Sequence, residues 1–210
     1  MASLEDIPRV LGSVEERVRK LVEWVGGKIE RKKWSNEHLQ AKFGRRSARR
    51  IVEDEDTCYM NPCLDYMLVM LESLKRNGLT TTFLVAQLKN RFLDFDPVHM
   101  VVECGIGGEG RYVDFRTLNI VEIGRVPFVY QREGYECKKI VRMNGMILSA
   151  DDSIIDVNEK VKKYGITIGN EDELEKQVAK LQRDNSEEEF QRYLSKISGD
   201  IKKVVVVVKA

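Results

Sequence analysis

A chain of 210 residues is long enough to bury one full hydrophobic core, or one domain with a small appendage. Charged residues make up 33% of it, but 35 Lys and Arg stand against 34 Asp and Glu, so the net charge of +1 excludes a global field that would draw nucleic acid or a membrane surface. No apolar run is long enough to span a bilayer and no signal-peptide pattern is visible, so the four cysteines, 58, 63, 104 and 137, are expected as reduced thiols in a cytoplasmic setting.

In chain order, the first informative stretch is a pair of opposed charge runs. Arg45, Arg46, Arg49 and Arg50 directly precede Glu53-Asp54-Glu55-Asp56. Runs of this kind are expected as solvated faces; the lesser readings are a polyanion site, or an acidic cleft mouth that favours a cationic substrate. Cys58 lies in the approach to Cys63. A zinc site is disfavoured because paired C-x-x-C spacing is absent, while a resolving cysteine for an oxidised Cys63 is a further alternative.

Asn61-Pro62-Cys63 then opens an apolar helix pattern, with Leu64, Met67, Leu68, Leu71 and Leu74 on one face. Asn61 is expected as the N-cap, Pro62 suits the first helical position, and Gly78 is a natural stop. Cys63 therefore falls in the first turn, where exposed N–H groups and the positive end of the helix dipole favour a thiolate and suit an oxyanion. Taken alone, such a residue reads as a small buried hydrophobe.

The next stretch supplies an imidazole and a carboxylate. Residues 98–104 alternate as a strand, Gly105 to Gly110 form a glycine-rich turn, and Arg111 to Phe115 return. A hairpin symmetric about Gly107-Gly108 pairs Cys104 with Arg111, and puts His99 and Asp114 diagonally on one face. The structural alternative is a polar cross-strand pair on a solvated face. With only His38 and His99 in the chain, few Cys–His pairings exist, and Cys63, His99 and Asp114 are the residue types a thiol nucleophile requires.

Further strands are expected at 120–123, 127–130 and 139–143, giving a sheet of at least four. Helical spacing runs from Asp152 to Tyr164. Glu171 to Ile197 reads as one or two charged helices broken near Asp184-Asn185-Ser186, and Val204 to Val208 is a β-branched run that needs a partner. The glycines of 105–110 lead into a strand, which argues against a phosphate loop.

Residues 14 to 116 resemble the transglutaminase-like superfamily, papain-like cysteine enzymes whose triad runs Cys, His, Asp along the chain. Glu15 to Ile29, with Trp24, is similar to that family's leading helix, and Ser47 to Val52 to the short helix before the nucleophile. Cys63-Leu64-Asp65-Tyr66-Met67 through Gly78-Leu79 resembles the nucleophile helix. His99 to Glu103 and Gly110 to Asp114 resemble the histidine and aspartate strands. Two departures stand out: Asn61 occupies a position where the family usually has glycine, and Met100 and Val101 follow the histidine where an aromatic residue is common. The arylamine N-acetyltransferases, of the same broad fold, are a minor alternative suggested by His99-Met100 and Tyr112 to Phe115; their glycine-rich arginine segment is missing here.

The expectation is an α+β chain with a papain-like core, a nucleophile helix on an antiparallel sheet and extra C-terminal helices. Residues 1–150 would form the catalytic domain, and 151–210 a helical extension with a final strand, packed on the same domain. Cys63 is expected as nucleophile, His99 as base and then acid, and Asp114 as the carboxylate that orients it. The reaction would be acyl transfer or amide hydrolysis through a thioester on a peptide or protein amide substrate, with no metal or organic cofactor required, no membrane partner, and nucleic acid disfavoured as a partner. Oligomeric state is not legible. The competing class is a non-catalytic interaction module on the same scaffold, motivated by the altered approach to Cys63 and the charged C-terminal region.

Overall fold

A computed structural model describes residues 2–79, 81–90, 98–104, 111–114, 119–122, 135–164 and 171–195. Within the larger sheet it describes the side chains of Thr82, Phe83, Leu84, Val102, Glu103, Val113, Arg142, Met143 and Asn144. The expected strand at 127–130, the turn at 105–110 and the run at 204–208 lie outside the described residues.

The fold is mixed α+β. Helix α1 (Val14–Lys28) starts at Ser13, whose hydroxyl accepts from the Glu16 N–H at 3.3 Å while the Glu16 carboxylate accepts from the Ser13 N–H at 2.8 Å. Its buried residues Val18, Leu21, Val22 and Val25 follow helical spacing and form one stripe. Strand β1 (Glu30–Lys32) pairs in parallel with β2 (Asp56–Cys58), and between them stand α2 (Asn36–Lys42) and α3 (Ala48–Asp54), capped by Ser35 and Ser47. Both strands and α2 were unexpected from the sequence; α1 and α3 stand where the family resemblance put its two leading helices.

Helix α4 (Cys63–Arg76) is the centre of the molecule, packed against α1, α3 and the sheet strand β4. Its sequence reads as one apolar face, yet every residue from Leu64 to Leu74 is buried. Neighbours on all sides explain the difference, and each polar residue caught inside has a partner. Ser73 donates to the Val69 carbonyl at 2.7 Å, Glu72 accepts from Arg76 at 2.9 Å, and Asp65 is held by Arg46 and Thr57.

The helix stops as expected at Gly78. The Leu79 N–H reaches the Leu74 carbonyl at 3.0 Å and the Gly78 N–H the Lys75 carbonyl at 2.9 Å, the paired bonds of a Schellman end. Gly78 has φ +66°, and a Cβ there would meet nothing within 4 Å. Gly78→Ala is therefore expected to cost only the left-handed backbone penalty, about 1–2 kcal/mol, as a lower urea midpoint with an unchanged slope. Asn77 fastens the N-terminal segment to this end, accepting from the Val10 N–H at 2.9 Å and donating to the Pro8 carbonyl at 3.0 Å.

The larger sheet runs β6-β5-β4-β3-β7, all antiparallel: β3 (Thr82–Asn90), β4 (Val98–Cys104), β5 (Arg111–Asp114), β6 (Asn119–Glu122) and β7 (Tyr135–Asn144). Cys104 pairs with Arg111, the register expected from the glycine-rich turn. Phe83, Val102, Val113 and Met143 are cross-strand neighbours and all lie in the core, so this face of the sheet is the buried one.

Helix α5 (Ile154–Lys162) and helix α6 (Glu171–Asp184) contribute Ile154, Val157, Val161, Leu174, Val178 and Leu181 to the same buried cluster as α1 and α4. The charged C-terminal stretch breaks at 185–186, and a last helix covers 187–195. Among the described residues no helix is long and apolar enough to cross a membrane.

Candidate functional site

Strand β2 delivers the chain to the first turn of α4. It ends at the buried Cys58, and the chain then runs through Tyr59, Met60 and Asn61 to Pro62. Burial pushes the Cys58 thiol up to about 11, leaving it protonated at neutral pH. Cys63, five residues on, is half-buried and is the first residue of α4. The two thiols thus have different surroundings, and Cys63 is the more exposed of the two.

The start of α4 differs from the expected cap. Pro62, not Asn61, occupies the N-cap position, with helical dihedrals (φ −78°, ψ −10°), and its side chain makes no capping hydrogen bond. Ser13, Ser35, Ser47 and Ser153 cap α1, α2, α3 and α5 through their hydroxyls. Proline has no N–H and its side chain accepts nothing, so Pro62 gives the start of α4 none of the capping that Ser13, Ser35, Ser47 and Ser153 give to theirs.

Beneath this turn lies a charge cluster that sequence reasoning missed. Arg46, 5% exposed, donates from Nη2 to Asp65 at 2.5 Å and to the Asp56 carbonyl at 2.9 Å, and from Nη1 to Asp56 at 2.7 Å and Asp54 at 3.0 Å. Thr57 donates its hydroxyl to the same Asp65 oxygen at 2.9 Å, and Trp34 lies under the guanidinium with its ring centre 4.6 Å away. Lys42 adds a second cation 3.1 Å from Asp54. Burial pushes the Asp65 carboxyl up against the pull of Arg46 and Thr57. In Asp54 burial acts the same way but Arg46 and Lys42 prevail, and its carboxyl lies below the ordinary range.

This corrects the expectation that the runs at 45–50 and 53–56 are solvated faces. Arg46, Asp54 and Asp56 turn inward on each other, whereas Arg45, Arg49 and Arg50 pair at the surface with Glu171, Asp151 and Glu53. An open depression of about 430 Å³ borders Lys42, Arg45, Arg46, Ser47 and Arg50, but Asp54, Asp151 and Asp156 line it too. Its cations are already matched, which removes the case for a polyanion site. No cluster of three or more His, Cys, Asp or Glu that could hold a metal occurs among the described residues.

His99 lies on β4 opposite Ala86, and Asp114 on β5 opposite Asn119. The β4–β5 register puts positions 99 and 114 on the same face, shared with Glu103. His99 is three residues from Val102 and Asp114 one from Val113, so that face is opposite to the one carrying Val102 and Val113 into the core. The side chains of His99 and Asp114, and their distances to Cys63, lie outside the described ones. Cys104 and Cys137 are on β4 and β7, also without described side chains.

The last helix touches the loop that leads into α4. Tyr59, four residues before Cys63, has Phe190 and Tyr193 against its ring, both with centres at 4.9 Å. Arg31 donates to Tyr66 and to Tyr193, each at 3.3 Å, and so links the second turn of α4 to this helix.

No protein-family model matches the chain, and no curated protein matches it in sequence. Among solved structures, Legionella pneumophila LapG (EGTA-treated) is similar at 12% identity with a TM-score of 0.41, over 73% of this chain and 83% of that one. A likeness at that level is coarse, and the functional reading rests on this chain's own residues.

Proposed function

We propose that this protein carries out thiol-dependent acyl transfer or amide hydrolysis on a peptide or protein substrate, with Cys63 as nucleophile, His99 as base and then acid, and Asp114 orienting the imidazole within a transglutaminase-like core. The observation that carries this reading is the setting of Cys63: a half-buried thiol on the first residue of a central helix whose N-cap residue, Pro62, supplies no side-chain cap. Such an end stabilises a thiolate and, through the Cys63 N–H, an oxyanion. Attack of sulfur on the carbonyl carbon would expel an amine, which takes its proton from His99. Water or a second amine would then release the acyl group. A reducing, cytoplasmic setting suits a nucleophile that must remain a thiol.

The decisive measurement is the pH profile of Cys63 alkylation by iodoacetamide, followed by peptide mass spectrometry. Reactivity is expected to persist well below the free-thiol pKa of about 8.5, and the profile is expected to move upward in His99→Ala. A profile unchanged by that substitution would show that no thiolate–imidazolium pair exists. Cys58 should stay unreactive throughout because its buried thiol titrates near 11.

One observation favours the second reading, a non-catalytic interaction module. Positions 99 and 114 share the strand face opposite to the core. A polar pair on the face opposite to Val102 and Val113 needs no catalytic role, and an ordinary Cys63 profile would support this reading.

A further inference from the structure

We propose that Arg46 is a positioning residue for Cys63: it neutralises Asp65, the acid in the same helical turn, and so leaves the positive end of α4 to the thiolate. The proposal rests on the reading of Cys63 as nucleophile and adds to that site a residue from outside the triad.

Cys63 is the first residue of α4 and Asp65 the third. An acid at the third position ordinarily turns back to accept the backbone N–H of the cap residue. Pro62 has no N–H to give, and Asp65 turns inward instead, to 5% exposure. There a single oxygen, Oδ2, accepts from Arg46 Nη2 at 2.5 Å and from the Thr57 hydroxyl at 2.9 Å. The same guanidinium reaches Asp56 on β2 and Asp54 on α3, so one side chain ties the first turn of α4 to the two elements that precede it.

Residues two apart on a helix do not face each other, so Asp65 acts on Cys63 through its field and not by contact. The rise between them is only about 3 Å along the axis. Both negative groups draw on the same helix dipole, and a carboxylate held there without a cation would disfavour a thiolate beside it. Burial lowers the local dielectric and lengthens the reach of that field. Around Asp65 stand Arg46, Asp54, Asp56 and Lys42 on the α2, α3 and β2 side, Cys58 at the end of β2, and Tyr66 next to it on α4. Among the described residues Arg46 is the cation that contacts the Asp65 carboxylate, while Lys42 pairs with Asp54 and Asp56. The field of the Arg46–Asp65 pair is already felt at the neighbouring thiol: burial dominates at Cys58, and beyond it Asp65 pushes that thiol up while Arg46 pulls it down.

The test measures the pH profile of Cys63 alkylation by iodoacetamide in the full chain, for wild type, Asp65→Asn, Arg46→Met and the two substitutions combined. Asp65→Asn leaves Arg46 uncompensated and is expected to move the midpoint down by roughly half a pH unit, about threefold in rate on the rising limb. Arg46→Met is expected to move it up by a similar amount, and the combined variant to return it to wild type, because neither charge remains. If Arg46→Met is too unstable to purify, Asp65→Asn decides alone. An unmoved midpoint in Asp65→Asn overturns the proposal. So does a combined variant displaced as far as Arg46→Met, since that would trace the shift to a disturbed turn and not to charge. A purely stabilising role for the cluster would lower the melting temperature and leave every midpoint in place. Failure of the nucleophile reading shows elsewhere: an ordinary wild-type profile that His99→Ala does not move leaves the displacements among these four proteins intact.

Discussion

Arg46→Met is expected to destabilise the protein by about 3–5 kcal/mol, because it leaves the buried Asp65 carboxylate without its cation. For a chain of this length that lowers the melting temperature by roughly 10 °C. The methionine stem can still lie against Trp34, so most of the loss is electrostatic. The pH dependence has a definite sign. Burial raises the Asp65 pKa above its ordinary value of 3.8, so its contribution favours folding at low pH and is lost as pH rises through the raised value. Without Arg46 the pKa rises further, and the deficit of the variant relative to wild type should shrink as pH is lowered from 7 toward 5. Adding Asp65→Asn to Arg46→Met removes the stranded charge and should recover part of the loss. A double variant no more stable than Arg46→Met alone would show that Asp65 is not the group Arg46 compensates. Urea unfolding at two pH values measures all of this on three proteins.

What was legible in the sequence follows from how local each signal is. The stop of α4 at Gly78 depends on a few adjacent residues, and a hairpin with a symmetric turn fixes its register whatever surrounds it. The break between the two C-terminal helices, at 185–186, is likewise a local feature of Asn and Ser. Strand β3, unexpected, contains the run Phe83-Leu84-Val85-Ala86, whose apolar continuity fits a buried helix as well as a strand. Strand β1, Glu30-Arg31-Lys32, has no apolar residue at all. Its partner in β2 is supplied by tertiary structure.

The ionic cluster was illegible for a related reason. Arg46 meets Asp65 nineteen residues away in sequence, and nothing in either run separates an inward-facing charge from a solvated one. The all-round burial of α4 depends equally on which elements surround it. Cys63 was legible as a first-turn thiol, but the identity of the cap was not: Asn61-Pro62 permits two starts, and the structure takes the one in which Asn61 contributes no cap.

The largest catalytic effect is expected from Asp114→Asn. An asparagine keeps the size of the side chain and can still hydrogen-bond, but it presents the wrong group to His99 and holds the imidazole in a tautomer that cannot take the proton from Cys63. In a triad of this kind turnover falls by about four orders of magnitude while folding is little affected. As a merely structural strand residue on the face opposite Val102 and Val113, Asp114 would instead lose a single hydrogen bond, worth about 1 kcal/mol, with Cys63 reactivity intact. The two outcomes separate when thermal unfolding and the pH profile of Cys63 alkylation are measured on the same preparation. A preserved melting temperature with a displaced profile places Asp114 behind His99, and a lowered melting temperature with a wild-type profile assigns it to the sheet. In the second case the register that puts positions 99 and 114 opposite to the Val102 and Val113 face becomes the governing fact, and Cys63 is left as a half-buried thiol at the head of a scaffold used for binding.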